Sequence, residues 1–499
     1  MPHRRILLVN PPLVGGVAFT RQGRCQEREE VLGTTKPPYS LLVIAALLRE
    51  QGASLRLVDL TAEGRTTASL VDELKRDGFT PELVIFPSTT PTLHADTAEM
   101  VVLKRTFGAA LVCFGPHAST VPIEAMRQVP DVDIMVVGEP EDPVMALASS
   151  ASLTDPEGIE GVTWRRPDGT IVPPIGQGAF AGFKSMPFPA WDLLPLGNYQ
   201  LPMVSEPYVI VETSRGCPYA CDFCVAPIHQ GHKFRERDPK ALVDEIERAK
   251  RELGVRYFYL WGDTVTLNQK TFSAFCEELI ARDLGIQWFG NARADNLTDP
   301  AFVHRLRRSG CWMLAMGIES SSPEIRKDMV KRLEEQKIRA AFANLRDAGI
   351  KSFAFFIYGY PGETAQTMDQ TTRYAIDLDP DFANFYPAVP YPGTALYEKC
   401  VRDGLLRPEE ADWSKMEYSY YLLRGPELND RLVMDAINTA KRRFFLRPRY
   451  IARHAGDVVK LALSKQAIVR QVLSRTVFGS KVVDIKPAGA PLRPGTTTT

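Results

Sequence analysis

Two long stretches of the chain repeat one pattern, and that pattern narrows the fold more than any other feature. Between Arg5 and about Glu141, the short runs RILLVN, LRLVDL, LVIFP, ALVCFG and DIMVVG alternate with amphipathic segments such as SLLVIAALLREQG and SLVDELKRDG. A strand that is apolar along its whole length, not at every second residue, is buried on both faces. Strands of this kind joined through helices form a parallel sheet with helices on either side. Sheets so built take ligands at the carboxyl ends of their strands, which here means the loops Asn10–Pro12, Pro87–Thr90 and Gly115–His117.

The pattern breaks between residues 146 and 205, where PDGTIVPP and SMPFPAWDLLPLGNY are rich in turn residues and proline; we read this as a linker with a short hairpin. It resumes from residue 206. YVIVET, YFYLWG, IQWFGN, MLAMGI, SFAFFIYG and FANFYPAV are separated by helical segments such as KALVDEIERAKREL and EEQKIRAAFANLRDAG. Six strands with intervening helices predict a full or partial β/α barrel, whose functional groups collect where the strands end. The expected organisation is an α/β chain in four parts: a doubly wound parallel sheet over residues 1–145, the linker, the barrel over 206–425, and a helical region over 426–499 with a flexible tail.

Bulk properties exclude several classes. The 60 basic and 60 acidic residues cancel, so nothing global points to nucleic acid. No run approaches the roughly 18 apolar residues of a membrane span, and MPHRRILLVNPP has no signal-peptide core. A cytoplasmic location is expected. Of eight cysteines, three fall within VETSRGCPYACDFCVAP as C-x3-C-x2-C: Cys217, Cys221 and Cys224. In a chain without an export signal, a tight trio indicates metal or redox chemistry, not a disulfide framework. A zinc site with His229 or His232 as fourth ligand is one reading, and a redox pair of Cys221 and Cys224 is another. The third is an iron–sulfur cluster with one iron left open to a small molecule.

RGCPYACDFC resembles the cluster motif of the radical S-adenosylmethionine (radical SAM) superfamily, including the aromatic Phe223 before the third cysteine. The resemblance implies that the three cysteines hold a [4Fe-4S] cluster whose open iron chelates SAM. Reductive cleavage then yields a radical that abstracts hydrogen from a small-molecule substrate. It further implies a one-electron reductant such as a flavodoxin or ferredoxin. Asp263 in WGDTVTLN, Asn291 and Arg293 in FGNARAD, and Glu319 in MGIESSS end successive barrel strands, where the family binds SAM. YGYPGET, Tyr358–Thr364, is a turn expected to line that site through its main chain. Tyr219 and His229 are candidates for acid–base work by proximity alone.

Taken in order, LLVNPP, PPYSLLVIAALLREQG, FGPHAS and VVGEPE resemble the N-terminal cobalamin-binding domain of one radical SAM class. This implies cobalamin contacts from Asn10, Ser88, Gly115, His117 and Glu139. The chain lacks the Asp-x-His-x-x-Gly of many cobalamin proteins, so the cobalt is expected to have no histidine ligand. The most frequent reaction of the class is C-methylation; ring formation or contraction, dehydration and oxidation are alternatives. A zinc-stabilised scaffold without catalysis is the competing class. His232, Phe234, Arg235 and Arg237 either meet substrate or make ordinary salt bridges. Residues 441–481 are strongly basic, and VVKLALSKQAIVRQVL within them has the spacing of a helix that lies on an anionic membrane.

Overall fold

The computed structural model describes residues 4–21, 28, 35–201 and 204–464. Five parallel strands open the chain: β1 (Arg5–Asn10), β2 (Ser54–Asp59), β3 (Leu83–Pro87), β4 (Ala110–Phe114) and β5 (Ile134–Val136). Their spatial order is β2-β1-β3-β4-β5, so the chain reverses direction between β1 and β3. That reversal opens a crevice at the carboxyl edge between these two strands. Helices Tyr39–Glu50 and Leu93–Phe107 cover the sheet, and Ile6, Leu7, Leu8, Val9, Leu42 and Ile44 are wholly buried between the layers. The hairpin of β6 (Val162–Arg165) and β7 (Ile171–Val172) adds to β5 antiparallel, extending this sheet to seven strands.

The second sheet begins with the short antiparallel strand β8 (Gln200–Leu201) beside β9 (Glu206–Glu212). Past the small ladder of β10 (Ser214–Arg215) and β11 (Arg235–Glu236) come β12 (Tyr257–Trp261), β13 (Gln287–Ala292), β14 (Cys311–Glu319), β15 (Lys351–Tyr358) and β16 (Phe382–Pro387). From β9 to β16 every neighbouring pair is parallel and in chain order, and β16 does not return to β9. The barrel is therefore partial. On β13, β15 and β16 buried residues alternate strictly with half-buried ones. The buried set, including Trp288, Phe356 and Phe385, packs under the helices, as the Phe385–Phe444 ring contact at 5.9 Å shows.

After helix Ala395–Arg402 an aromatic strap crosses the molecule. Trp413 packs edge-on against His117 of the short helix Pro116–Thr120 after β4 at 4.3 Å, Tyr418 stacks on Tyr386 at 4.1 Å, and the Tyr421 hydroxyl donates to Gly359 O at 2.7 Å. Helix Asp430–Phe445 then covers β16, and helix Pro448–Ser464 follows. The architecture agrees with the α/β reading: parallel sheet, partial barrel, helical end. Among the described residues no helix is long and apolar enough to cross a membrane. The expected membrane-facing helix, VVKLALSKQAIVRQVL, falls mostly outside the described residues, as does the tail.

Candidate active site

Cys217, Cys221 and Cys224 lie half-buried on the loop after β10, at the carboxyl end of the half-barrel. Two contacts anchor its middle through the main chain: Asp222 N–H donates to Met329 O at 3.2 Å, and Leu396 N–H donates to Asp222 O at 2.9 Å. The Asp222 carboxylate accepts from the Tyr360 hydroxyl at 2.5 Å, which ties the cysteine loop to YGYPGET. Gly216, one residue ahead of Cys217, has φ +80°, and a Cβ there would come within 2.3 Å of Lys233 O. Only glycine lets the loop pass this close to the β11 side.

No three His, Cys, Asp or Glu side chains among the described residues converge on a point suited to one metal ion. A tetrahedral zinc site demands that convergence at about 2.3 Å per thiolate, whereas a four-iron cluster spreads its thiolates over separate irons. His229, one of the two candidates for a fourth zinc ligand, is buried, with its Nδ1 2.9 Å from Ser119 Oγ on the short helix Pro116–Thr120 after β4. Ser119 Oγ donates to Gly115 O at 2.9 Å, so its one proton is used and His229 Nδ1–H is the donor between them. Burial lowers the His229 pKa to about 4, which keeps the ring neutral.

The residues expected to surround SAM are gathered at the same end. Arg293 stacks over the Tyr219 ring at 3.8 Å, forks onto Asp295, and donates to Lys331 O at 3.1 Å. Asn291 donates to the Tyr259 hydroxyl at 2.9 Å, while its carbonyl accepts from Val265 N–H. Asp263, on the turn after β12, is half-buried. Glu319 sits at φ +69°, costly for a residue with a side chain, just beyond a bulge in β14. Its carboxylate accepts from Lys331 Nζ at 2.8 Å with both side chains buried. Strained backbone and a buried ion pair at one strand end are typical of a site whose geometry matters. Lys331 escaped the sequence reading because it follows a helix and a turn with no motif of its own.

YGYPGET carries a second buried acid. The Glu363 carboxylate accepts from Tyr360 N–H at 3.2 Å, and burial raises its pKa to about 8.

On the first sheet, Asn10 donates to Asp59 Oδ1 at 2.8 Å, and Tyr199 donates to the other oxygen at 2.8 Å. Ser88 donates to Asp96 Oδ2 at 3.0 Å, and Asp96 is paired bidentately with the buried Arg21. At Gly115, φ is +134° and a Cβ would lie 2.1 Å from Ser88 O, so the two loops touch backbone to backbone. His117 is wholly buried, its Nδ1 is 3.0 Å from Thr90 Oγ1, and desolvation drops its pKa to about 3. Its ring is thus a neutral, packed group under Trp413.

Glu139 is placed elsewhere than a cofactor edge would suggest. It accepts from Arg235 and from Phe180 N–H, and lies 3.5 Å from Arg215. Arg215 also forks onto Glu141 and Glu212, all of them buried. Glu139 and Glu141 come from the first domain, whereas Arg215, Glu212 and Arg235 flank the cysteine loop. Desolvation, assisted by Glu141 and Glu139, raises the pKa of Glu212. Arg237 pairs with Glu245 and donates to Glu212 O. Arg235 and Arg237 therefore serve in ion pairs, the ordinary alternative for this basic stretch.

Residues 211–375 match the family model of the Radical SAM superfamily. The chain is a radical SAM enzyme. The cysteine loop, the half-barrel and the strand ends described above all lie within or beside the matched segment. Along most of its length the chain is also 28% identical to an uncharacterized methyltransferase of Pyrococcus horikoshii, over 93% of this chain and 98% of that protein. It is 27% identical to the anaerobic magnesium-protoporphyrin IX monomethyl ester cyclase of Rubrivivax gelatinosus, over 90% of this chain and 78% of that one. Among solved structures, the radical SAM methyltransferase TsrM of Kitasatospora setae, determined with cobalamin and a [4Fe-4S] cluster, superposes with a TM-score of 0.65. The superposition covers 82% of this chain and 81% of TsrM at 20% identity, and it extends the shared fold beyond the radical SAM segment. A radical SAM core uses a [4Fe-4S] cluster and SAM, and the half-buried trio on one anchored loop fits that requirement.

Proposed function

We propose that this enzyme is a cobalamin-dependent radical SAM methyltransferase acting on an unactivated carbon of a small natural-product-like or lipid-like molecule. Cys217, Cys221 and Cys224 would hold the cluster, with Phe223 packed beside them. Asn291, Arg293, Glu319 and Asp263 would receive SAM. Cobalamin would lie along the carboxyl edge of β1, β3 and β4, against Asn10, Ser88, Gly115 and His117.

One observation carries this reading. The carboxyl edges of the two sheets face each other: Ser119, four residues beyond Gly115, meets His229, five residues beyond Cys224, at 2.9 Å. A methyl donor on the first edge and a radical source on the second would share one substrate. The bound cofactors would supply the methyl group and the hydrogen-abstracting radical. The chain's own work is to orient them, and the buried network around Arg215 keeps water from the seam.

The named relatives include a cyclase, which favours radical oxidation or ring closure without methyl transfer as the second reading. Anaerobically reconstituted protein supplied with cobalamin and a reduced flavodoxin or ferredoxin separates them. Methylation requires equal 5'-deoxyadenosine and S-adenosylhomocysteine per product; the second reading gives deoxyadenosine alone. Protein that binds zinc, without iron, sulfide or SAM cleavage, would refute both.

A further inference from the structure

Three of the six described non-glycine residues with left-handed backbone meet at one place: Glu319 at φ +69°, Val330 at +54° and Arg332 at +47°. The last two flank Lys331, just after helix Pro323–Asp328. That helix ends in a Schellman turn, with Lys331 N–H donating to Arg326 O at 2.9 Å and Val330 N–H to Lys327 O at 3.0 Å. The left-handed residue of such a turn is usually glycine, because a Cβ crowds the backbone there. This chain uses valine, whose branched Cβ makes the conformation costly.

Backbone so strained persists only where its surroundings fix it. The clamps are visible. Buried Arg326 donates from Nε to Leu333 O at 2.9 Å, and from Nη1 to Ser320 O at 2.7 Å and Ser321 O at 2.9 Å. It thereby staples the far side of the turn to the residues that follow Glu319. Met329 O accepts from Asp222 N–H of the cysteine loop at 3.2 Å, and Lys331 O accepts from Arg293 at 3.1 Å. From this fixed base the Lys331 ammonium reaches Glu319 Oε1 at 2.8 Å. Strand β14 leaves room for the pair at Gly317, where a Cβ would lie 2.1 Å from Glu319 Oε1 and 2.8 Å from Lys331 Nζ.

Resting on the reading that Glu319 and Arg293 receive SAM, we infer that Lys331 is a positioning residue of that site, aiming the Glu319 carboxylate. A carboxylate held through one oxygen on an immobile ammonium keeps one rotamer, so its other oxygen faces one direction. The cost of ordering it is met when the chain folds, not when SAM binds.

The test titrates SAM into the full chain, reconstituted with its cluster and reduced, and reads the Kd from the low-temperature EPR spectrum. K331M should raise the Kd about tenfold while iron per chain stays unchanged. E319Q should weaken SAM to a similar degree. E319Q/K331M should stay within twofold of E319Q, because Lys331 acts through the carboxylate. Should K331M lose its cluster, G317A decides: its methyl group displaces the pair while both charges remain, and should raise the Kd about fivefold. An unchanged Kd in K331M or G317A, or a loss beyond twofold in E319Q/K331M relative to E319Q, would overturn the proposal. R293K is run alongside. Weaker SAM binding by R293K, with K331M and G317A unaffected, would refute this inference and leave the SAM reading standing. R293K and E319Q both binding SAM like wild type would refute that reading, and this inference with it.

Discussion

The Tyr360 hydroxyl donates to Asp222 Oδ2 at 2.5 Å, joining a turn after β15 to the residue between the second cysteine and Phe223. Asp222 is nearly buried, and Lys399 lies over the Tyr360 ring at 4.8 Å, so this bond is shielded from water. Y360F should lower the guanidinium midpoint by an amount equal to about 2 kcal/mol, the usual loss for a buried hydrogen bond to a carboxylate. Iron should also leave the reconstituted protein faster under chelator. If midpoint and chelation rate are both unchanged, the tyrosine does not brace the loop.

Among the described residues Arg215 pairs with Glu139, Glu141 and Glu212 together. R215M would leave three buried carboxylates with Arg235 alone to compensate. Breaking a buried ion pair from one side costs about 3–5 kcal/mol. We expect a matching fall in denaturation midpoint and faster proteolysis between residues 146 and 205. R215M with wild-type stability would contradict the assignment of this cluster to domain docking.

Arg293 provides a kinetic test of the SAM side of the site. Its planar head stacks on Tyr219 and forks onto Asp295, geometry that lysine cannot reproduce. R293K should retain iron and raise KM for SAM about tenfold, with a smaller change in kcat. An unaltered KM would exclude Arg293 from SAM binding.

Stability should peak between two opposing limbs of pH. His117 and His229 have folded pKa values of about 3 and about 4, below the usual 6.5. The unfolded chain therefore binds more protons, and their contribution disappears as pH falls from 6.5 through about 4 for His229 and about 3 for His117. Glu363 behaves oppositely: raised from 4.5 to about 8, it favours the folded state when protonated, and that advantage disappears as pH rises from 4.5 to 8. E363Q should remove the upper limb and stabilise the protein at pH 7 by about 3 kcal/mol, read from denaturant midpoints across pH.

Which parts of the molecule were legible in sequence follows from how local each signal is. The strands of both sheets announced themselves because burial on two faces leaves apolar runs, as in LVIFP. The trio was legible because a cluster needs its thiolates on one short loop. Glu319 and Arg293 were located by strand ends. The partners were hidden: nothing near Lys331 marks it as the companion of Glu319, and Arg215 reads as an ordinary residue until folding brings Glu141, 74 positions away, to its side. Glu139 shows the same effect in reverse, since a residue at a strand end was expected to face a cofactor and instead faces two arginines. A short hairpin is expected in the linker, but strands of four and two residues carry too little periodicity to reveal that β6 and β7 prolong the first sheet.

Arg215 stands two residues ahead of Cys217, with its guanidinium gripped by glutamates of the neighbouring domain. The loop that would carry the metal is hence tethered outside its own barrel, on a lever one glycine long. A tilt of the first domain, such as a large ligand entering its crevice would impose, would act on the first cysteine through that single intervening residue.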